Sequence, residues 1–157
     1  KDMDARTKLY NKNKYEDMLA NYYTMVERVA VVLWDINNLK EINDRMGHGM
    51  GDKLIETMSG AIYAQTDSRK KAYRIGGDEF VMLIENPEKQ EAEQIIQNVR
   101  DKLARHREEG GLRVSSATGT AEGNGIDILK IVHDDERMYE DKKRGKESRE
   151  YAMFYSE

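Results

Sequence analysis

The sequence predicts an α+β domain: a central, mainly antiparallel β-sheet flanked by helices. Three observations lead there. The run VAVVLWDI (Val29–Ile36) is continuously β-branched, aliphatic and aromatic, as a strand buried on both faces must be. KAYRI (71–75) and EFVMLIE (79–85) flank two glycines and read as a β-hairpin. The segments around them repeat apolar residues at helical spacing.

The elements follow in order. Tyr15, Met18, Leu19, Tyr22 and Val26 give a first amphipathic helix, and Val29–Ile36 the first strand, ending at Asp35 and Ile36. NNLKEINDRMG (37–47) is expected to be a short helix stopped by Gly47. Asp52 is expected to open the next helix, with Leu54, Ile55, Met58, Ala61 and Ile62 on its apolar face. After the hairpin, Asn86 and Pro87 supply an N-cap and first helical residue for a helix burying Ala92, Ile95, Ile96, Val99 and Leu103. LRVSSATGTAE (112–122) reads as a strand. Ile128, Leu129, Val132 and Tyr139 mark a last helix, and EYAMFYS (150–156) a closing strand. With no repeat or low-complexity linker, residues 1–157 are expected to form one domain with a substantial core.

Composition narrows the function. The net charge of -4 argues against a general nucleic-acid binder. The absence of cysteine excludes disulfides, a thiolate nucleophile and Cys-ligated zinc, and suits a reducing compartment such as the cytoplasm. No apolar run is long enough to cross a bilayer, so this domain is not expected to insert into a membrane. The chain begins at Lys1 rather than Met and is expected to be a piece of a longer signalling protein, whose sensor or membrane anchor lies elsewhere.

The polar residues concentrate where elements end. Asp35 closes a buried strand, and Asp78 and Glu79 sit at the hairpin tip. Brought together, these carboxylates suit a hard divalent cation, which typically keeps waters and binds one or two carboxylates plus substrate phosphates. Gly76 and Gly77 would then let a substrate approach the backbone; an ordinary hairpin turn would also use Gly and Asp. Beyond Asp35, a helix begins at once, so the backbone N–H groups of Asn38 and Leu39 can receive a phosphate. Asn43 and Asp52 suit a base reader, since a carboxylate accepts from the N1–H and exocyclic amine of guanine, a donor pair adenine lacks. Local backbone hydrogen bonding by Asn43 and helix capping by Asp52 are the plainer alternatives. KKRGK (142–146) places Lys142 and Lys146 within reach of a triphosphate, or forms a solvated basic helix end. The three histidines form no metal-binding pattern.

RIGGDEF (74–80) resembles the signature of the GGDEF domains, the diguanylate cyclases. DARTKLYNKNKY (4–15) is similar to that family's opening D-x-L-T-G-L-x-N, DINNLKEINDRMGHGMGD (35–52) to its D-I-D-x-F-K-x-I-N-D stretch with following G-H and G-D, and MYEDKKRGK (138–146) to its L-Y-x-A-K-x-x-G-R. The resemblance implies a palm-like nucleotide cyclase fold and the condensation of two GTP into cyclic di-GMP with release of two pyrophosphates. By position, Asp35, Asp78 and the Ile36 carbonyl would bind Mg2+ or Mn2+, and Glu79 would serve as metal ligand or proton acceptor at the 3′-hydroxyl. Asn38 and Leu39 amides with Lys142 and Lys146 would hold phosphates, while Asn43 and Asp52 read guanine. Each domain would hold one GTP, so a homodimer is implied for catalysis, with an upstream regulatory domain as a further partner.

Departures from the family pattern are equally specific. Asn37 replaces the second Asp of D-I-D, Leu39 a Phe, Arg6 and Lys8 the Leu and Gly of the opening motif, and Lys146 an Arg. Ala117 and Thr118 depart from the usual strand pattern. Asp67 and Lys70 stand where many members carry the Arg and Asp of an inhibitory R-x-x-D, so product inhibition through that site is not expected. A catalytically silent GTP-binding regulatory domain is the rival reading; a cyclase that also accepts ATP fits Asp52 less well.

Overall fold

Continuous burial fixes the centre of the structure. In the computed structural model, which describes residues 1–137, 139 and 140, β1 (Arg28–Ile36) is buried at every position after Arg28. It lies between β3 (Glu79–Glu85) and β4 (Ser116–Asn124), with β2 (Lys70–Arg74) beyond β3, giving the order β2-β3-β1-β4. Every pairing is antiparallel. The expected strand over 150–156 and the Lys142 and Lys146 positions lie outside the described residues.

Strand alternation then sorts the core into two layers. Ala30, Val32, Trp34 and Ile36, with Phe80, Met82 and Ile84, pack with residues of α2 (Leu39–Met46), α3 (His48–Tyr63) and α4 (Glu91–Glu108). Val29, Val31, Leu33, Val81 and Leu83 pack instead with Tyr15 and Leu19 of α1 (Lys12–Asn21) and with Ile128, Ile131, Val132 and Tyr139 of α5 (residues 128–137, with 139 and 140 also helical). The result is the predicted α+β sandwich, a four-stranded antiparallel sheet with helices on both faces.

Several boundaries differ from the sequence reading, each for a local reason. Helix α3 starts at His48, so Asp52 lies a turn inside it rather than opening it. Gly47, at φ +87°, ends α2 by donating its N–H to the Asn43 carbonyl and restarts the chain as the N-cap of α3, with no spacer between. Asn86 does not cap α4. Its backbone N–H and side-chain oxygen bond the carbonyl and N–H of Arg28, closing the end of the sheet. Helix α4 begins at Glu91 instead, where the Glu91 carboxylate accepts from the Glu88 N–H at 3.0 Å. The first helix stops at Asn21, and Val26 lies beyond a short 3₁₀ turn. Leu129, expected on the buried face of the last helix, is 63% exposed. The last described strand is shifted to Ser116–Asn124 because its ladder runs the full length of β1, from Arg28–Asn124 to Ile36–Ser116.

Candidate active site

The β1–β3 register brings the sequence-predicted carboxylates to one edge. Asp35 is directly paired with Glu79, and the Ile36 N–H donates to the Asp78 carbonyl at 2.9 Å. Asp35 and Glu79 therefore project from neighbouring strands on the same face, the one covered by α1 and α5. Asp35 is 6% exposed, and its Oδ2 accepts from the Tyr139 hydroxyl at 2.6 Å. Burial raises the carboxyl pKa of Glu79 above its ordinary value, and the negative charges of Asp35, Asp78, Glu136 and Glu140 raise it further. A cavity of ≈ 380 Å³ opens beside it, lined by Leu33, Glu79, His133, Glu136, Tyr139 and Glu140 among others.

The hairpin tip is held from both sides. Ile75 N–H donates to the Glu79 carbonyl at 3.0 Å, and Arg74 Nη2 donates to the Gly77 carbonyl at 2.9 Å. The same guanidinium pairs with Asp4 at 3.2 Å, and Asp4 also accepts from the N–H and hydroxyl of Thr7. Neither Gly76 nor Gly77 has positive φ, so the turn does not need glycine for its backbone conformation. A Cβ at Gly77 would meet nothing, and one at Gly76 would touch only the Glu79 side chain at 3.5 Å. Space outside the chain is what these glycines keep clear.

On the opposite face of the sheet, Asn38 adopts the left-handed conformation (φ +61°) and leads into α2. Its carbonyl accepts from Ile42 N–H at 2.9 Å, while the N–H groups of the first turn have no partner within the helix. Leu39 is anchored in the core. Asn37 donates its N–H to the Ser115 carbonyl at 2.9 Å and its side-chain amide to the Ser115 hydroxyl at 3.2 Å, tying the end of β1 to the start of β4. Asn43 faces Gly51 across the α2–α3 bend, and its Oδ1 is buried without a hydrogen-bond partner. A Cβ at Gly51 would collide with that oxygen. Asp52 is partly exposed and ion-paired to Arg6 at 3.2 Å; Arg6 also reaches Glu56 at 3.5 Å.

Two neighbours of the site, Arg6 and Tyr139, were not identified by sequence reasoning. In the sequence Arg6 stands only as a departure from the opening motif; its pairing with Asp52 and Glu56 is set by the fold. Tyr139 reads as an apolar helix position and as the Tyr of the L-Y-x-A-K resemblance, but neither reading points its hydroxyl at Asp35. No cluster of three or more His, Asp or Glu side chains arranged to hold a metal occurs among the described residues. Asp35, Asp78 and the Ile36 carbonyl are nonetheless oxygen donors of the kind that would suit a hard cation such as Mg2+, which takes its remaining ligands from water and phosphate. The repulsion felt at Glu79 is what a bound cation would relieve. No helix among the described residues is long and apolar enough to cross a membrane.

An antiparallel sheet in this order, with acidic residues where β1 ends and the hairpin turns, has the palm-like architecture of the nucleotide cyclases. Solved structures bear this out: the GGDEF domain of DgcB from Caulobacter crescentus superposes with a TM-score of 0.76 at 22% identity, covering 92% of this chain and 88% of that one. The GGDEF domain of PA1120 from Pseudomonas aeruginosa gives a TM-score of 0.72 at 26% identity, covering 90% and 88%. The chain belongs to the GGDEF family: the family model described as "Diguanylate cyclase, GGDEF domain" matches residues 1–148. Among curated relatives, it is 35% identical to the diguanylate cyclase DgcS of Shewanella oneidensis over 86 residues, 52% of this chain and 29% of the relative. It is 27% identical to the diguanylate cyclase DosC of Escherichia coli K12 over 154 residues, 92% of this chain and 34% of the relative. The chain thus spans about a third of the length of these relatives.

Proposed function

We propose that the domain condenses two GTP molecules into cyclic di-GMP, releasing two pyrophosphates, and that it does so as a homodimer in which each subunit holds one GTP. The pairing of Asp35 with Glu79, with Asp78 beside them, carries this reading. Asp35, Asp78 and the Ile36 carbonyl hold Mg2+ or Mn2+, which when bound offsets phosphate charge and lowers the pKa of the attacking hydroxyl. The first-turn amides at Asn38 and Leu39 take phosphate oxygens, with Lys142 and Lys146 as further phosphate ligands. Asn43, with its unpartnered buried oxygen, and Asp52 read the guanine edge.

In each half-reaction the 3′-hydroxyl oxygen of one GTP forms a bond to the α-phosphorus of the other. The bond from that phosphorus to the bridging β-phosphate oxygen breaks, and pyrophosphate leaves with the bonding electrons. Glu79 accepts the hydroxyl proton; its raised pKa brings it closer to neutral pH, where a general base is most effective. Two such steps, one from each subunit, close the ring. The substrate places the domain in the cytoplasm, and an upstream sensor would act by bringing two domains face to face.

The test is to incubate the domain with GTP and Mg2+ or Mn2+ and follow cyclic di-GMP by mass spectrometry. Glu79→Gln is expected to lower the rate by about 100-fold or more while leaving GTP binding intact. An unchanged rate in that variant refutes the assignment. A silent GTP-binding regulatory role is the second reading. It is favoured by one relative of 31% identity over 150 residues that is named a cyclic di-GMP phosphodiesterase, PdeR of Escherichia coli K12. GTP binding with no product, even in an artificially dimerised domain, would decide for it.

A further inference from the structure

The structure assigns Tyr139 as the positioning residue of Asp35: its phenol fixes the carboxylate in the orientation that receives the divalent cation. This rests on the reading of Asp35 as a cation ligand. The hydroxyl lies 2.6 Å from Asp35 Oδ2, within the range of a short, charge-assisted O–H···O bond. Both ends are enclosed, Asp35 at 6% exposure and Tyr139 at 6%. The ring is packed with Leu33, Val81, Ile128 and Val132 between α5 and the sheet, so the donor is set by the core and not by a mobile surface side chain.

The chemistry of the donor matters. A phenol offers one proton to one carboxylate oxygen and brings no positive charge. The bond engages Oδ2 of Asp35 and adds no charge to the site. A lysine or arginine in the same place would also orient Asp35 but would compete with a divalent cation for its charge. Groups that hydrogen-bond a metal ligand typically set metal affinity by ~10–100-fold. Tyr139 also makes α5 part of the site. The helix crosses the sheet face from which Asp35 and Glu79 project, so a displacement of α5 would be felt first at Asp35.

Tyr139→Phe removes the hydroxyl and keeps the ring, which makes the test direct. Mn2+ would be titrated onto the wild-type domain, Tyr139→Phe, Asp35→Asn and Ile128→Val, with binding followed by electron paramagnetic resonance and folding by thermal melting. The metal concentration for half-maximal turnover of GTP would be measured in parallel. Tyr139→Phe is expected to weaken Mn2+ about tenfold and to raise the half-saturating metal concentration similarly, with little change in KM for GTP. Ile128→Val, a packing lesion in the same cluster, is expected to leave Mn2+ affinity unchanged. If Tyr139→Phe binds Mn2+ like wild type while Asp35→Asn does not bind it, the positioning role is overturned and the cation reading stands. If Asp35→Asn also binds normally, the cation reading itself falls. Equal weakening in Tyr139→Phe and Ile128→Val would show a packing effect, and would likewise overturn the assignment.

Discussion

Arg74 joins the opening segment of the chain to the tip of the β2–β3 hairpin, and Arg74→Met separates the two without removing the aliphatic stem. The substitution deletes the 3.2 Å ion pair to Asp4 and the 2.9 Å bond to the Gly77 carbonyl. The side chains are 16% and 20% exposed, between a surface pair and a buried one. Exposed pairs contribute ~0–1 kcal/mol, and removing one partner of a buried pair costs ~3–5 kcal/mol. An intermediate loss of about 2 kcal/mol is expected, read as a fall of about 4–8 °C in Tm for a domain of this size. Because Gly77 adjoins Asp78, kcat is expected to fall more than tenfold, as ~1 Å displacements of reacting groups commonly cause.

The loss should depend on pH in a defined direction. Burial pushes the Asp4 carboxyl up, but the Thr7 hydroxyl, the Arg74 charge and the Thr7 N–H together hold it below its ordinary value of 3.8. A carboxyl lowered on folding contributes fully above its unfolded pKa, and the contribution fades as pH falls through the folded value. Urea unfolding of wild type and Arg74→Met should therefore show the full difference near neutrality and a smaller one below the ordinary carboxyl value. A difference under about 0.5 kcal/mol at neutral pH, the level of an ordinary surface substitution, would refute the reasoning. So would a difference that does not shrink in acid.

Gly51→Ala would drive a Cβ into the Asn43 carboxamide. GTP affinity by calorimetry is expected to fall about tenfold, the loss of one good hydrogen bond, and an unchanged affinity would remove Asn43 from the guanine site. The Asp67 carboxylate accepts from the N–H groups of Arg69 and Lys70 and pairs with the Lys70 ammonium at 3.2 Å, which offers a phosphodiester no arginine grip there. Added cyclic di-GMP is therefore expected to leave the initial rate unchanged, and inhibition that disappears in Lys70→Ala would contradict this.

What was legible in the sequence is what depends on near neighbours. The apolar run of β1, the hairpin and the apolar stripe of α4 are local periodicities, and the structure reproduces them. Asn86 and Pro87 form a local capping pattern that the structure does not use: α4 begins at Glu91, and Asn86 bonds Arg28, 58 residues away. The start of α4 is set by Glu91, whose carboxylate also binds Arg69 at 2.7 Å. The acidic residues of the site were readable because their types and spacing are peculiar. The groups that position them were not, since Tyr139 meets Asp35 across 104 residues of chain.

The two halves of the site depend on a single strand end. Side chains alternate along β1, so Asp35 points to the α1/α5 layer while Ile36 packs with the α2–α4 layer. Glu79 and Tyr139 accordingly belong with Asp35, whereas the α2 amides, Asn43 and Asp52 follow from the other side of the same strand. A one-residue slip of β1 against β3 would send Asp35 into the apolar layer and undo both halves at once. The pairing of Trp34 with Phe80, both fully buried, and the bond from Ile36 N–H to the Asp78 carbonyl oppose that slip. The core therefore fixes the site through the register of β1, and substitutions at Trp34 or Phe80 would reach the carboxylates without touching them.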